Sequence, residues 1–123
     1  MSPRIFPAII DSVYDGDTCK LRADLGMAIW RYCTARLNGI NAAELRAPGG
    51  LQARDHLIEL MPPGTEVRLV SLGWDKYRDR LDAQLILPDG RDVSEVMVAD
   101  GYAAAWDGHG EKPCPPWPIP EAC

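Results

Sequence analysis

The sequence predicts a mainly β protein with some helix (α+β): a five-stranded Greek-key barrel, two short helices and an irregular, proline-rich C-terminal tail. Three observations carry that expectation. Apolar–polar alternations recur at 5–13, 18–24, 29–40, 65–72 and 80–87, with the two-residue period of half-buried strands. Helical spacing of apolar residues is confined to about 51–60 and to the stretch that follows Asp92. Residues 108–123 hold five prolines, a density that no packed element tolerates.

The first strand, 5–13, runs into Asp15-Gly16, a turn signal because glycine takes a positive φ without steric cost. Thr18 to Asp24 sets Cys19, Leu21 and Ala23 on one face against Lys20 and Arg22 on the other. Leu25-Gly26-Met27 turns the chain into a longer strand, Ile29 to Ile40, whose alternation is clear only in its second half. Pro48-Gly49-Gly50 marks a loop over 44–50. Ala53, Leu57, Leu60 and Met61 then recur at helical spacing until Pro62-Pro63 stops the run. Thr65 to Leu72 is rich in β-formers, Trp74 to Asp79 is a charged connection, and Arg80 to Leu87 turns Leu81, Ala83, Leu85 and Leu87 inward. After the Pro88–Arg91 turn, Asp92 with Glu95 three residues on is a capping signature. It opens a helix that faces Val93, Val96 and Met97 to the core and ends at Gly101. Residues 103–107 add a short extended segment. The order β-β-β-α-β-β-α fits a barrel of the OB type with helices at its ends, a domain over 1–107, and a tail over 108–123 that folds back through Trp117 or docks on a partner.

A chain of 123 residues suits one domain, and 46% apolar with 25% charged residues reads as globular. No apolar run nears the ~20 residues of a membrane span, so no membrane partner is expected. Met1 to Pro7 is too short and proline-broken for a secretory signal, so the expectation is a cytoplasmic monomer. The four cysteines form no Cys-x-x-Cys pair, and His56 and His109 lack zinc-finger spacing, which argues against structural zinc. Cys19 and Cys33 read as buried free thiols; whether Cys114 and Cys123 pair stays open. The net charge of -5 counts against non-specific affinity for nucleic acid, which is usually driven by a basic surface.

Two stretches carry chemistry: Tyr14-Asp15-Gly16-Asp17-Thr18-Cys19-Lys20-Leu21 and Arg36-Leu37-Asn38-Gly39-Ile40-Asn41-Ala42-Ala43-Glu44. Brought together on a barrel rim, they supply oxygen ligands for a hard cation, a guanidinium for a phosphate and a carboxylate to activate water. That inventory suits phosphodiester hydrolysis. Taken singly, Asp17 also reads as a turn cap, Arg36 as an exposed strand residue and Glu44 as a solvated loop residue.

From about Ile10 to Trp106 the chain resembles the staphylococcal nuclease (thermonuclease) family. The motifs are Asp15-Gly16-Asp17-Thr18, Arg36 with Glu44 eight residues on, Asp75-Lys76-Tyr77, Asp89-Gly90-Arg91 and Gly101-Tyr102-Ala103, in the family's order. The resemblance implies an OB barrel that cleaves DNA and RNA with one calcium ion. It implies that Asp17 is a metal ligand, that Arg36 holds the phosphate and that Glu44 is the general base. Lys76 and Tyr77 match residues that flank a terminal phosphate, and Trp106 and Tyr102 lie near where the family stacks a base. The chain departs from the family in three places. Asn41 replaces a second metal-binding aspartate, keeping an oxygen ligand but losing a charge. Ala42-Ala43 replaces threonine and proline, leaving the carbonyl of Ala42 as a metal ligand and a looser loop before Glu44. Asp79 stands where the family has its second catalytic arginine, between Arg78 and Arg80. Neighbours on a regular strand face opposite sides, so either arginine would need a bulge or turn to reach the site; Arg80 is the expected substitute.

The expected function is therefore calcium-dependent hydrolysis of DNA or RNA, single-stranded by preference and attenuated by these departures. The alternative is a catalytically degenerate nuclease-like OB module that binds nucleic acid or a protein partner.

Overall fold

The computed structural model describes residues 4–76 and 80–106. The expectations for Tyr77, Arg78, Asp79, Cys114, Trp117 and Cys123 fall outside the described residues. In chain order the elements are β1 (Arg4–Asp15), β2 (Thr18–Asp24), β3 (Trp30–Leu37), β4 (Ile40–Ala42), α1 (Gly50–Leu60), β5 (Glu66–Trp74), β6 (Arg80–Ile86), α2 (Val93–Ala99) and β7 (Ala103–Ala105). Five strands close into a barrel in the order β1-β2-β3-β6-β5, with β5 returning to β1. The barrel is mixed: β3 and β6 run parallel and the other neighbours antiparallel.

The expected strands reappear with one correction. The stretch 29–40 is not one strand, because Gly39 adopts φ 84°, a left-handed conformation that ends β3. Ile40–Ala42 then leaves the barrel and pairs antiparallel with β7 in a separate two-stranded sheet. The described strands thus number seven, five of them in the barrel.

Alternation builds the interior. Ala8 and Ile10, Cys19 and Leu21, Ala35 and Leu37, Val67 and Leu69, and Leu81, Ala83 and Leu85 are all buried, while their neighbours along each strand are more exposed. Helix α1 packs against β1 and adds Ala53 and Leu57, followed by Met61 at its C-cap. Helix α2 adds Val93 and Met97, and its N-cap Asp92 accepts the Ser94 N–H at 2.8 Å. Burial pushes the Cys19 thiol up to about 12, with Cys33 adding to the shift, so Cys19 is an inert core group. Among the described residues no helix is long and apolar enough to cross a membrane.

A second correction concerns Gly16, which does not adopt the positive φ expected of its turn. It is needed for space: a Cβ there would lie 2.7 Å from the Ala42 Cβ and 2.8 Å from that of Ala53. The β1–β2 turn, β4 and α1 therefore meet at this glycine.

Candidate active site

The turn between β1 and β2 is shaped by its own acids. Asp15 Oδ1 accepts the Asp17 N–H at 3.1 Å, a side-chain mimic of a backbone turn. The turn points the Asp17 carboxylate inward, where the residue is only 6% exposed. Its Oδ1 accepts the Thr18 hydroxyl at 3.0 Å and its Oδ2 accepts the Ala42 N–H at 3.0 Å. One carboxylate thus ties the first chemical stretch to the second. The backbone repeats the tie, with Leu37 N–H donating to the Asp17 carbonyl at 2.8 Å.

Arg36 lies on the outward face of β3 and braces the break after it. Nη1 donates to the Leu37 carbonyl at 2.8 Å and Nη2 to the Ile40 carbonyl at 3.1 Å. Nη2 also lies 3.5 Å from Asp17 Oδ2. Glu44 follows β4. Its side chain is exposed, but its backbone is pinned: its carbonyl accepts the Ala47 N–H at 2.9 Å, and Gly50, opening α1, packs so closely that a Cβ would land on that carbonyl.

Arg80 is the first residue of β6 and pairs with Thr34 in the parallel ladder, next to the Arg36–Asp82 pair. Leu81 and Ala83 point inward, so alternation puts Arg80 on the outward face with Thr34 and Arg36. Arg80 takes a regular position in the β3–β6 ladder, and the register shift of the β5–β6 pair lies at Ser71/Gly73 in β5. The Asp75 N–H donates to the Arg80 carbonyl at 2.8 Å, and Asp75 Oδ2 lies 3.9 Å from Arg80 Nε.

These elements enclose a cleft of about 820 Å³ that Asp17, Arg36, Asn41, Ala42, Glu44 and Arg80 all line. Lys76 and Trp106 do not line it. Trp106 is partly buried beyond β7 and donates its backbone N–H to the Gly39 carbonyl at 2.8 Å. Tyr102 instead stacks on His56, with centroids 4.1 Å apart, and His56 bonds Asp100 at 2.7 Å. Tyr77 lies outside the described residues.

Sequence reasoning passed over Asp15 and Lys20, which also line the cleft. Burial, and then the charge of Asp17, raises the Asp15 carboxyl from 3.8 to about 6. The available signal was its place two residues before Asp17 in one turn. Lys20 was legible as outward-facing, but only the β2–β3 register sets it opposite Thr34, beside Arg36.

Among the described residues no three His, Cys, Asp or Glu side chains converge on one point as a metal group. The residues lining the cleft carry hard oxygens in the carboxylates of Asp15, Asp17 and Glu44 and in the side-chain amide of buried Asn41. Their chemistry fits a hard cation. In comparisons with known proteins, no family model matches the chain and no curated protein matches it.

Proposed function

We propose that the chain is a metal-dependent nuclease that hydrolyses phosphodiester bonds of single-stranded DNA or RNA, built on an OB barrel of the staphylococcal nuclease family. The observation that carries this reading is the convergence of Asp17, Arg36, Asn41, Ala42, Glu44 and Arg80, from separate segments, on one open cleft. The strand order, the parallel β3–β6 closure and the helix packed against β1 support the OB assignment.

Asp17, the amide oxygen of Asn41 and the carbonyl of Ala42 would hold a calcium ion, whose chemistry is to neutralise charge on the phosphate. Arg36 spends two of its five N–H donors on the Leu37 and Ile40 carbonyls and faces Asp17 with Nη2, and the donors left over serve phosphate oxygens from a fixed position. Arg80 meets the phosphate from the neighbouring strand. Glu44 takes a proton as the water oxygen attacks phosphorus. The bond to the leaving oxygen breaks as the new P–O bond forms, and solvent in the open cleft protonates the leaving oxygen.

The test is cleavage of a fluorophore–quencher single-stranded DNA with calcium, with magnesium and with chelator, beside Glu44→Gln. The expected result is calcium-dependent cleavage that falls by about 10²–10⁴ in the variant. Unchanged turnover in Glu44→Gln removes the base from the mechanism. A second reading, a degenerate module that binds nucleic acid or a protein partner, is favoured by one observation: Asn41 brings no charge to the buried ligand position. Asn41→Asp separates the two. A large gain in calcium-dependent cleavage marks an attenuated enzyme, and continued silence with the fold intact marks a binding module.

A further inference from the structure

The outward face of β2 and β3 continues beyond the cleft as a strip that the reaction does not use. Its cross-strand pairs, in order from the cleft, are Thr18–Arg36, Lys20–Thr34, Arg22–Tyr32 and Asp24–Trp30. Same-face residues recur every ~6.6 Å along a strand, so Arg36 to Trp30 spans about 20 Å. A second hollow of about 310 Å³ lies along this line, bordered by Tyr32. It shares Lys20 and Thr34 with the cleft, so the two hollows meet across that one pair.

The strip is furnished unlike an ordinary solvent face. The Tyr32 side chain is 70% exposed in mid-strand and Trp30 is 44% exposed. Arg22 is held beside them, 5.9 Å over the Trp30 ring and 3.0 Å from Asp11, which offsets that carboxylate. Lys20 is exposed and makes no ion pair among the described residues. An exposed cation, then an open aromatic ring, then a second ring, at regular steps from a phosphate-sized polar cleft, match the alternation of phosphate and base along an extended strand.

We propose that Lys20, Tyr32 and Trp30 form a binding strip for single-stranded nucleic acid leaving the cleft, Lys20 meeting a phosphate and Tyr32 stacking on a base. This rests on the nuclease reading of the cleft. Stacking needs an unpaired base, because a duplex keeps its base faces covered. A lipid surface is the poorer fit, since Asp11 and Asp24 lie among the rings and would have to leave water with them.

The test uses the full chain carrying Glu44→Gln, in chelator, so that the probe stays intact. Anisotropy of labelled oligo-dT is compared with that of a dinucleotide too short to leave the cleft. Tyr32→Ala should weaken oligo-dT binding by roughly fivefold or more, the loss of one stacked base. It should leave the dinucleotide unaffected, and Tyr32→Phe should restore the affinity. Tyr32 is exposed, so circular dichroism should be unchanged. Unchanged oligo-dT affinity in Tyr32→Ala overturns the strip, as does an equal loss for the dinucleotide. Binding of the parent to phosphatidylserine vesicles but not to oligo-dT overturns it in favour of a lipid partner. If the wild-type chain cleaves nothing yet binds oligo-dT through Tyr32, the strip stands and the nuclease reading falls. If it cleaves and Tyr32→Ala changes neither binding nor cleavage of long substrates, the nuclease reading stands and the strip falls.

Discussion

The side chains that line the cleft form two sets, a buried wall and an exposed one, held in opposite ways. On one, Asp17 is buried, Arg36 keeps only 19% of its side chain exposed, and both are tied to main-chain groups of the strand break. On the other, Glu44 is exposed and Arg80 is 51% exposed, with Asp75 3.9 Å away. The first wall is set by the barrel itself, so damage there should be read first as lost stability. The second borrows only its backbone from the fold, so damage there should be read in binding and rate.

The strongest way to break this contrast is at Gly50, where the exposed wall is anchored. A methyl group at Gly50 has nowhere to go but onto the Glu44 carbonyl and the Leu45 Cα, which are main-chain atoms that cannot rotate aside. Gly50→Ala should cost about 3 kcal/mol or more, measured by urea denaturation. A loss under about 0.5 kcal/mol would mean that the Glu44 segment is not pinned to α1, and that the second wall is loose in its backbone as well as its side chains.

The next effect sets the two arginines against each other. Arg36→Met strands the Leu37 and Ile40 carbonyls and leaves buried Asp17 facing one cation fewer, so stability should fall by about 1–3 kcal/mol. Arg80→Met removes a half-exposed side chain and should stay within about 0.5 kcal/mol of the parent. Under the proposed function each should lower the cleavage rate by about 10²–10³. Equal destabilisation by the two variants would erase the distinction between the walls. Full activity in Arg80→Met would leave Arg36 as the cleft's phosphate clamp among the described residues.

The barrel was readable because its signal is local. Alternation at 18–24 and 80–87 needs no knowledge of partners, and the capping pair Asp92/Glu95 announces α2 from within four residues. The break at Asn38-Gly39 was harder. The dipeptide is a turn signal, but it sits inside a run whose apolar residues continue to Ile40, and periodicity alone favours continuation. What made β4 separate was its pairing with β7, more than sixty residues on. The site shows the same division. Asp17, Arg36 and Glu44 stood out as residue types in two short stretches, and the structure brings both stretches to one cleft. The roles of Gly16 and Gly50 as close-packing points, and the convergence of Lys20 on the cleft, depend on register and on α1 lying against the loop. A glycine in a turn-rich sequence announces a turn; it does not announce which backbone will press against it.

The smallest expected effect lies on Asp15, which is half-buried between the two walls and so tests where one ends. Its carboxyl is raised from 3.8 to about 6, first by burial and then by the charge of Asp17. Between those values the folded chain binds more of a proton than the unfolded chain does, so stability falls as pH rises from about 4 to about 6 and levels off above. Asp15→Asn keeps an oxygen for the Asp17 N–H and removes the charge. In chelator it should match the parent below about pH 4. Above pH 6 it should exceed the parent by roughly 1 kcal/mol, once solvent screening of a half-exposed group is allowed for. The pH dependence of urea midpoints measures this difference. If it is present, the strained electrostatics of the buried wall extend through the turn to Asp15, and calcium should shrink the difference by stabilising the parent more. If the two profiles run parallel, Asp15 is solvated like Glu44, and Asp17 bears the negative charge of the buried wall without a second carboxylate.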